Sequence, residues 1–278
     1  MECQSWDLYE TFGTARAGTG GRLTVWRVST PPTVSESRRR PAVLILPGGG
    51  YEHISARESE PVALRFLARG WVPFVLAYSV APARFPVQLR EAAMAMAFIR
   101  EKAKTFEVDP AMVAAVGFSA GGHLCGTLAT LFDARSVADI APADVLRPRA
   151  IGLCYPVAVS WGRTHSGSFQ NLTGGDEALA ERLSLDKLVR PDMPPTCLWT
   201  TRDDGSVPCR NTLLLAQALD GAGVDFTLRI YRHGKHGLAT ADAQAFPTGD
   251  MPPFSPELSR WPEEMMAFFA DSGLTIHD

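Results

Sequence analysis

The sequence predicts an α/β protein, a mostly parallel sheet with helices packed on both faces, and three observations carry that expectation. Strand-like and helix-like segments alternate from Ala42 onwards. The first of them, Ala42-Val43-Leu44-Ile45-Leu46, is apolar at every position and not at alternate ones, the mark of a strand covered on both sides. Turns rich in glycine and proline follow such runs, beginning with Pro47-Gly48-Gly49-Gly50.

After that strand, Ser59 to Arg69 places Val62, Leu64, Phe66 and Leu67 at helical spacing and stops at Gly70. Val72 to Ala77 is the next strand, its Pro73 near the start, where a missing N–H is tolerated. Pro86 to Lys104 reads as a long amphipathic helix. Met112 to Phe118 is a buried strand, and Ala120 to Phe132 a helix that follows it without a linker. Ala150 to Tyr155 and Thr196 to Thr200 are strand-like, and Arg210 to Leu219 is a helix ended by Gly221-Ala222-Gly223. Asp225 to Tyr231 alternates like a strand, and Pro256 to Phe269 closes the chain as a helix. Pro156 to Pro195 breaks the pattern. It is rich in Gly, Ser and Pro, carries Trp161, His165 and Phe169, and is too short to hold a core of its own. A cap-like insertion (156–195) within a single domain (1–278) is expected. Arg38-Arg39-Arg40 reads as a solvated connection before the first central strand.

A chain of 278 residues can bury a large α/β core without disulfide or metal. Lys and Arg number 27 against 30 Asp and Glu, a formal net charge of −3 with a pI of 6.1. That balance offers no basic footprint for nucleic acid and no polybasic patch for a membrane. With 46% hydrophobic residues, intrinsic disorder is excluded as well. The start, Met1-Glu2-Cys3-Gln4-Ser5-Trp6-Asp7, is acidic and has no apolar stretch, so no signal peptide is expected. Apolar runs such as Ala92 to Ile99 fall short of the roughly 18 residues of a membrane span. Cys3, Cys125, Cys154, Cys197 and Cys209 are scattered and form no C-x-x-C pair. They are expected as buried, reduced thiols of a cytoplasmic protein, with no metal site. Whether the chain forms a homo-oligomer is left open.

Gly117-Phe118-Ser119-Ala120-Gly121 matches G-x-S-x-G, a pattern that is weak alone. Its context is the strand–turn–helix that lifts a serine hydroxyl above a sheet edge and aims helix N–H groups at a reaction centre. Pro47-Gly48-Gly49-Gly50-Tyr51 exposes further amides after the first central strand. A tetrahedral intermediate needs two or more donors aimed at its oxyanion. The candidates are the amide of Ala120 with those of Gly49 and Gly50, or of Gly50 and Tyr51. A phosphate cradle is the rival reading, but no G-x-x-x-x-G-K-[ST] lysine follows.

A serine hydroxyl needs a base. His53 and His123 lie on early segments and His277 in the tail, whereas His233-Gly234-Lys235-His236-Gly237 follows the last predicted strand. His236 is the expected base, flanked by Gly234 and Gly237. Its carboxylate partner, which holds the imidazole tautomer, is expected from Asp203-Asp204, after the Thr196–Thr200 strand. A serine, then an aspartate, then a histidine is the chain order of α/β hydrolases, not of chymotrypsin or subtilisin.

These stretches resemble the bacterial α/β-hydrolase esterases related to dienelactone hydrolase and acetyl xylan esterase. The resemblance rests on Pro41 to Tyr51 with Ser55-Ala56-Arg57-Glu58, Gly117 to His123, Asp204-Gly205-Ser206-Val207-Pro208 and His236-Gly237, and runs from about residue 22 to 270. Its D-x-x-V-P pattern falls on Asp204 and selects that aspartate over Asp203. It implies an α/β-hydrolase fold and hydrolysis of esters, often O-acetyl groups on carbohydrates, with neither metal nor cofactor. A proline stands where many relatives carry the histidine of H-G-G-G, and a serine where dienelactone hydrolases carry cysteine. Arg57 and Glu58 are candidates for an ion pair supporting the glycine loop.

The expected chemistry is a two-step acyl transfer through Ser119, His236 and Asp204, on a small ester or acetylated sugar. The acyl space is expected to be small, crowded by Tyr51, Tyr155, Trp161 and Phe169, aromatics that are also able to stack on a sugar face. Two alternatives stand beside it: a prolyl-oligopeptidase-type peptidase, without room here for the usual β-propeller, and a binding protein on the same scaffold with vestigial hydrolysis.

Overall fold

The computed structural model describes residues 1–28 and 39–275. Its frame is a sheet of β1 (Glu2–Asp7), β2 (Arg22–Arg27), β3 (Arg40–Leu46), β4 (Val72–Ala77), β5 (Val108–Phe118), β6 (Ile151–Cys154), β7 (Thr196–Thr201) and β8 (Phe226–Tyr231). The spatial order is β1-β2-β4-β3-β5-β6-β7-β8. β2 runs antiparallel to both neighbours, and every pairing from β4 to β8 is parallel.

β3 shows why the apolar run had to be central. Ala42, Leu44 and Leu46 enter one apolar cluster and Val43 and Ile45 the other, all of them fully buried. At about 1.5–3 kcal/mol for each large side chain removed from water, neither face tolerates solvent. Helices Val87–Glu101 and Ala120–Thr130 cover the first face, with Leu89, Met96, Leu124 and Leu128 in its cluster. Helices Glu60–Leu67 and Trp261–Asp271 cover the second, with Phe66, Trp261 and Phe269.

The predicted strands and helices are present, with shifted ends. The long Pro86–Lys104 helix is instead Val87–Glu101 followed by a separate turn, Ala103–Phe106, which Glu107 closes at φ 55°. The closing helix begins as a 3-10 turn, Pro256–Arg260, and restarts at Trp261–Asp271, whose Pro262 lies in the first turn, where no N–H is needed. β1, β2 and the short helix Leu8–Phe12 have no counterpart in the sequence reading. Of the arginine run, Arg38 lies outside the described residues. Arg40 is not solvated: it is the buried first residue of β3, with Nη1 donating to Val28 O at 3.3 Å and Nη2 3.5 Å from Glu107 Oε2. Cys125, Cys154, Cys197 and Cys209 are buried free thiols, but Cys3 is exposed, because β1 is an edge strand. Among the described residues, no helix is long and apolar enough to cross a membrane.

The segment between β6 and β7 holds helices Ser166–Thr173, Glu177–Arg182 and Leu185–Leu188. Phe169, Leu172, Leu183 and Leu185 join the cluster on the β3 face that Leu44 enters. Asn211, fully buried, ties this segment down: its Oδ1 accepts from the amides of Ala158 and Val159 and from Thr164 Oγ1, while Nδ2 donates to Arg163 O.

Parallel strands put all their carboxyl ends at one edge, so the loops after β3, β5, β7 and β8 meet there. They carry Gly48–Tyr51, Ser119, Asp204 and His236 respectively.

Candidate active site

Ser119 sits between β5 and helix Ala120–Thr130 at φ 52°, ψ −118°, a sparsely populated conformation costing on the order of 1–3 kcal/mol. Its neighbours hold it there: Ser119 N donates to Cys154 O at 3.0 Å, and its carbonyl accepts from His123 N and Val157 N. The flanking glycines are required by close approach. A Cβ on Gly117 would lie 2.2 Å from Gly121 O, and one on Gly121 2.1 Å from Leu46 O.

His236 Nε2 lies 2.8 Å from Ser119 Oγ, and Nδ1 lies 2.7 Å from Asp204 Oδ2. The carboxylate accepts the Nδ1 proton, which leaves the Nε2 lone pair for the serine hydroxyl. Asp204 is held rigid because its other oxygen, Oδ1, accepts from the amides of Ser206 (2.9 Å) and Val207 (2.8 Å). Thr201 Oγ1 donates to Gly234 O at 2.6 Å, fastening the histidine loop to β7. The Tyr155 ring stands at 68° to the imidazole with centroids 4.9 Å apart.

The glycine loop lies opposite. Gly49, Gly50 and Tyr51 all have positive φ (121°, 65° and 57°), which turns successive amides inward. The N–H groups of Gly49, Gly50, Tyr51 and Ala120 make no hydrogen bond to another described residue. A Cβ on Gly48 would lie 2.9 Å from Ser119 Cβ, so the loop packs directly on the elbow.

Sequence reasoning missed the part of Glu58. The expected Arg57–Glu58 ion pair does not form: the Arg57 guanidinium lies over the Phe246 ring, 5.0 Å from its centroid. Glu58 is 3% exposed and instead spans two loops. Its Oε2 accepts from Gly48 N and its Oε1 from the Tyr155 hydroxyl, each at 2.7 Å. The same Tyr155 oxygen accepts from Ala239 N at 3.1 Å, beyond the histidine. A glutamate eight residues past a triple glycine was the available signal, and only tertiary contact reveals what it joins.

The four expected aromatics do not gather at the serine. Tyr51 and Tyr155 are each 1% exposed, beneath the site and not on its surface, because both hydroxyls are spent inside the protein. Tyr51 donates to His123 Nδ1 at 2.8 Å, whose Nε2 in turn donates to Leu183 O. That chain leaves His123 neutral, and burial pulls its pKa down to about 4. Trp161 and Phe169 line a different cavity, in the insertion. The cleft at Ser119, of about 270 Å³, is bordered by Gly49, Gly50, His53, Arg57, His165 and His236 among others, with no aliphatic or Phe, Tyr or Trp side chain. His233 pairs with Asp203 at the surface, Nδ1 to Oδ2 at 3.2 Å. His277 lies outside the described residues. Among those residues, no group of three or more His, Cys, Asp or Glu is placed to hold a metal ion.

Comparison with known proteins places the fold and family. The model of the prolyl oligopeptidase family matches residues 90–248, more than half of the chain, and the BD-FAE model matches residues 29–144. The chain belongs to the prolyl oligopeptidase family of α/β hydrolases. This α/β hydrolase is 37% identical over 220 residues to endo-1,4-β-xylanase B of Butyrivibrio fibrisolvens, covering 75% of the chain and 34% of that protein. It is 30% identical over 205 residues to the acetylxylan esterase of Xylanibacter ruminicola, covering 71% and 41%. The α/β hydrolase therefore spans between a third and about two fifths of the length of these curated relatives. Among solved structures, it is similar to the acetyl ester-xyloside bifunctional hydrolase from Caldicellulosiruptor lactoaceticus, at 35% identity and a TM-score of 0.79 over 91% of this chain and 88% of that one. The carboxylesterase Cest-2923 from Lactobacillus plantarum is similar at 25% identity and a TM-score of 0.85 over 100% of both chains.

Proposed function

We propose that this α/β hydrolase is a serine esterase that removes short acyl groups, acetyl above all, from carbohydrate hydroxyls. The single observation carrying the reading is the unbroken hydrogen-bond chain from Asp204 through His236 to Ser119. Ser119 Oγ attacks the ester carbonyl as its proton passes to His236 Nε2, a transfer worth about 10²–10⁴ in rate. Asp204 stabilises the imidazolium that forms. The developing oxyanion is received by the N–H of Ala120, the residue after the nucleophile, together with those of Gly49 and Gly50, which border the cleft. Each such donor is worth about 3–4 kcal/mol. His236 then returns its proton to the leaving alcohol, and a water deprotonated at the same Nε2 releases the acid and restores the serine.

A cleft of about 270 Å³ edged by glycine, serine, histidine, arginine and glutamate suits a small acyl group and a hydrophilic alcohol. A proline-selective peptidase needs an apolar slot for the pyrrolidine ring, and the lining of this cleft supplies none. The names of the relatives above support the esterase reading over the peptidase one. Helices 166–173, 177–182 and 185–188 are the proposed cap of a single catalytic domain, and the buried thiols suit a reducing, cytoplasmic setting.

The test is hydrolysis of p-nitrophenyl acetate and acetate release from acetylated xylo-oligosaccharides, against an X-Pro anilide. Ester turnover that vanishes in Ser119→Ala, together with fluorophosphonate labelling of the wild type alone, is expected. Turnover of the anilide alone defeats the esterase assignment, and a wild type that fails to label identifies a vestigial site.

A further inference from the structure

The insertion holds a second cavity of about 600 Å³, within the roughly 300–1,000 Å³ of ligand pockets, and nothing in the triad chemistry uses it. Trp161 at its edge is 42% exposed. It is nevertheless held in one orientation. Its Nε1 donates to Asp186 Oδ2 at 3.0 Å, Ser184 Oγ donates to Asp186 Oδ1 at 2.5 Å, and Ser160 N donates to Ser184 Oγ at 3.0 Å. Ser184, the centre of this chain, is fully buried. The Arg210 guanidinium lies 5.9 Å from the indole centroid. A ring fixed by a polar bond at its edge, with a large part of its surface left open, is able to present a flat apolar face.

From these contacts we infer that the cavity is a subsite for a neutral pyranose of the carbohydrate whose ester is cleaved, an inference resting on the esterase reading above. The indole stacks on the C–H face of the sugar, while Gln170, Glu177 and Glu181 offer amide and carboxylate groups to its hydroxyls. Carboxylates dominate the lining, with Lys187 already paired to Glu181, so an anionic ligand is repelled. Consecutive residues link cleft and cavity: His165 borders the former and Ser166 the latter. Between them, Asn171 Nδ2 donates to Gly50 O at 2.9 Å, which ties the helix Ser166–Thr173 to the glycine loop. In this reading a saccharide held in the cavity extends from it toward the glycine loop and the serine.

Calorimetric titration with unacetylated β-1,4-xylohexaose tests the subsite independently of ester turnover. Wild type is expected to bind in the millimolar range, Trp161→Ala at least about tenfold more weakly, and Trp161→Phe in between. In kinetics, Trp161→Ala is expected to lose kcat/KM on acetylated xylo-oligosaccharide about tenfold more than on p-nitrophenyl acetate, with its melting temperature retained. No heat from the wild type, unchanged affinity in Trp161→Ala, equal losses on the two esters, or binding of oligolysine in place of the saccharide overturns the subsite. A protein that binds xylohexaose but hydrolyses neither ester retains the subsite and loses the esterase reading.

Discussion

Two aspartate–histidine pairs join the same two loops, and their difference shows what makes one of them chemical. Asp203 meets His233 at 3.2 Å with both side chains about half exposed (52% and 57%), whereas Asp204 meets His236 at 2.7 Å with the carboxylate 1% exposed. Residue types and separation are nearly the same in the two pairs. The outer pair sits in water, where an ion pair is worth little. There burial is the largest single influence on the Asp203 carboxyl and raises its pKa, but the Gly234 N–H and His233 together outweigh it and leave the carboxyl below its ordinary pKa. The inner pair has two backbone donors on the carboxylate, an aromatic wall behind the imidazole and a serine hydroxyl in front. Preorganisation in a desolvated place, and not the pairing itself, separates them.

The sharpest way to break the contrast is Asp204→Asn, expected to lower kcat by about 10⁴ because the amide presents the wrong hydrogen-bond polarity to Nδ1. Steady-state kinetics on p-nitrophenyl acetate reads it, and a loss below tenfold makes the inner pair equivalent to the outer one.

A third histidine extends the comparison to stability. His123 is buried with its pKa near 4, so between pH 6.5 and 4 the unfolded chain binds a proton that the native state refuses. Native stability is therefore intact above pH 6.5 and falls as pH drops through that window, by up to about 3 kcal/mol. Urea unfolding at pH 7 and 4.5 is expected to show a smaller fall in His123→Gln than in wild type.

Glu58→Gln probes the support of the inner pair. Losing one good acceptor between Gly48 N and the Tyr155 hydroxyl is expected to cost about tenfold in kcat with KM held within about twofold, since misplacement of either loop affects the reacting geometry. A matched rise in KM without a change in kcat would give Glu58 a binding role instead. The smallest effect belongs to Asp203→Asn, expected within about threefold of wild-type kcat/KM. A loss rivalling that of Asp204→Asn would exchange the roles of the two aspartates.

The site was readable where chemistry depends on local pattern. The G-x-S-x-G turn needs a strand before it and a helix after it, and both are visible as apolar runs around Ser119. His236 was readable from its place after β8, whereas the choice of Asp204 over Asp203 came from the resemblance, whose D-x-x-V-P pattern falls on Asp204, because adjacent aspartates in a turn look alike. The aromatics were not readable. Composition tells that Tyr51 and Tyr155 are near the motifs, but their hydroxyl partners, His123 and Glu58, come from 72 and 97 residues away. β1 and β2 escaped for a related reason. The strand Glu2–Asp7 is mostly polar and exposed, so its existence depends on pairing with Arg22–Arg27 and not on its own burial.

By itself the sequence determined the alternation of buried strands and amphipathic helices, the strained serine turn and the order of the three polar residues, since each follows from backbone sterics and hydrophobic period over short stretches. Tertiary structure alone decided which aspartate is shielded from water, which tyrosines face inward, how Glu58 spans two loops and where Trp161 presents its ring. Those outcomes depend on solvent exclusion and on hydrogen-bond partners brought together from distant parts of the chain, quantities that no local window contains.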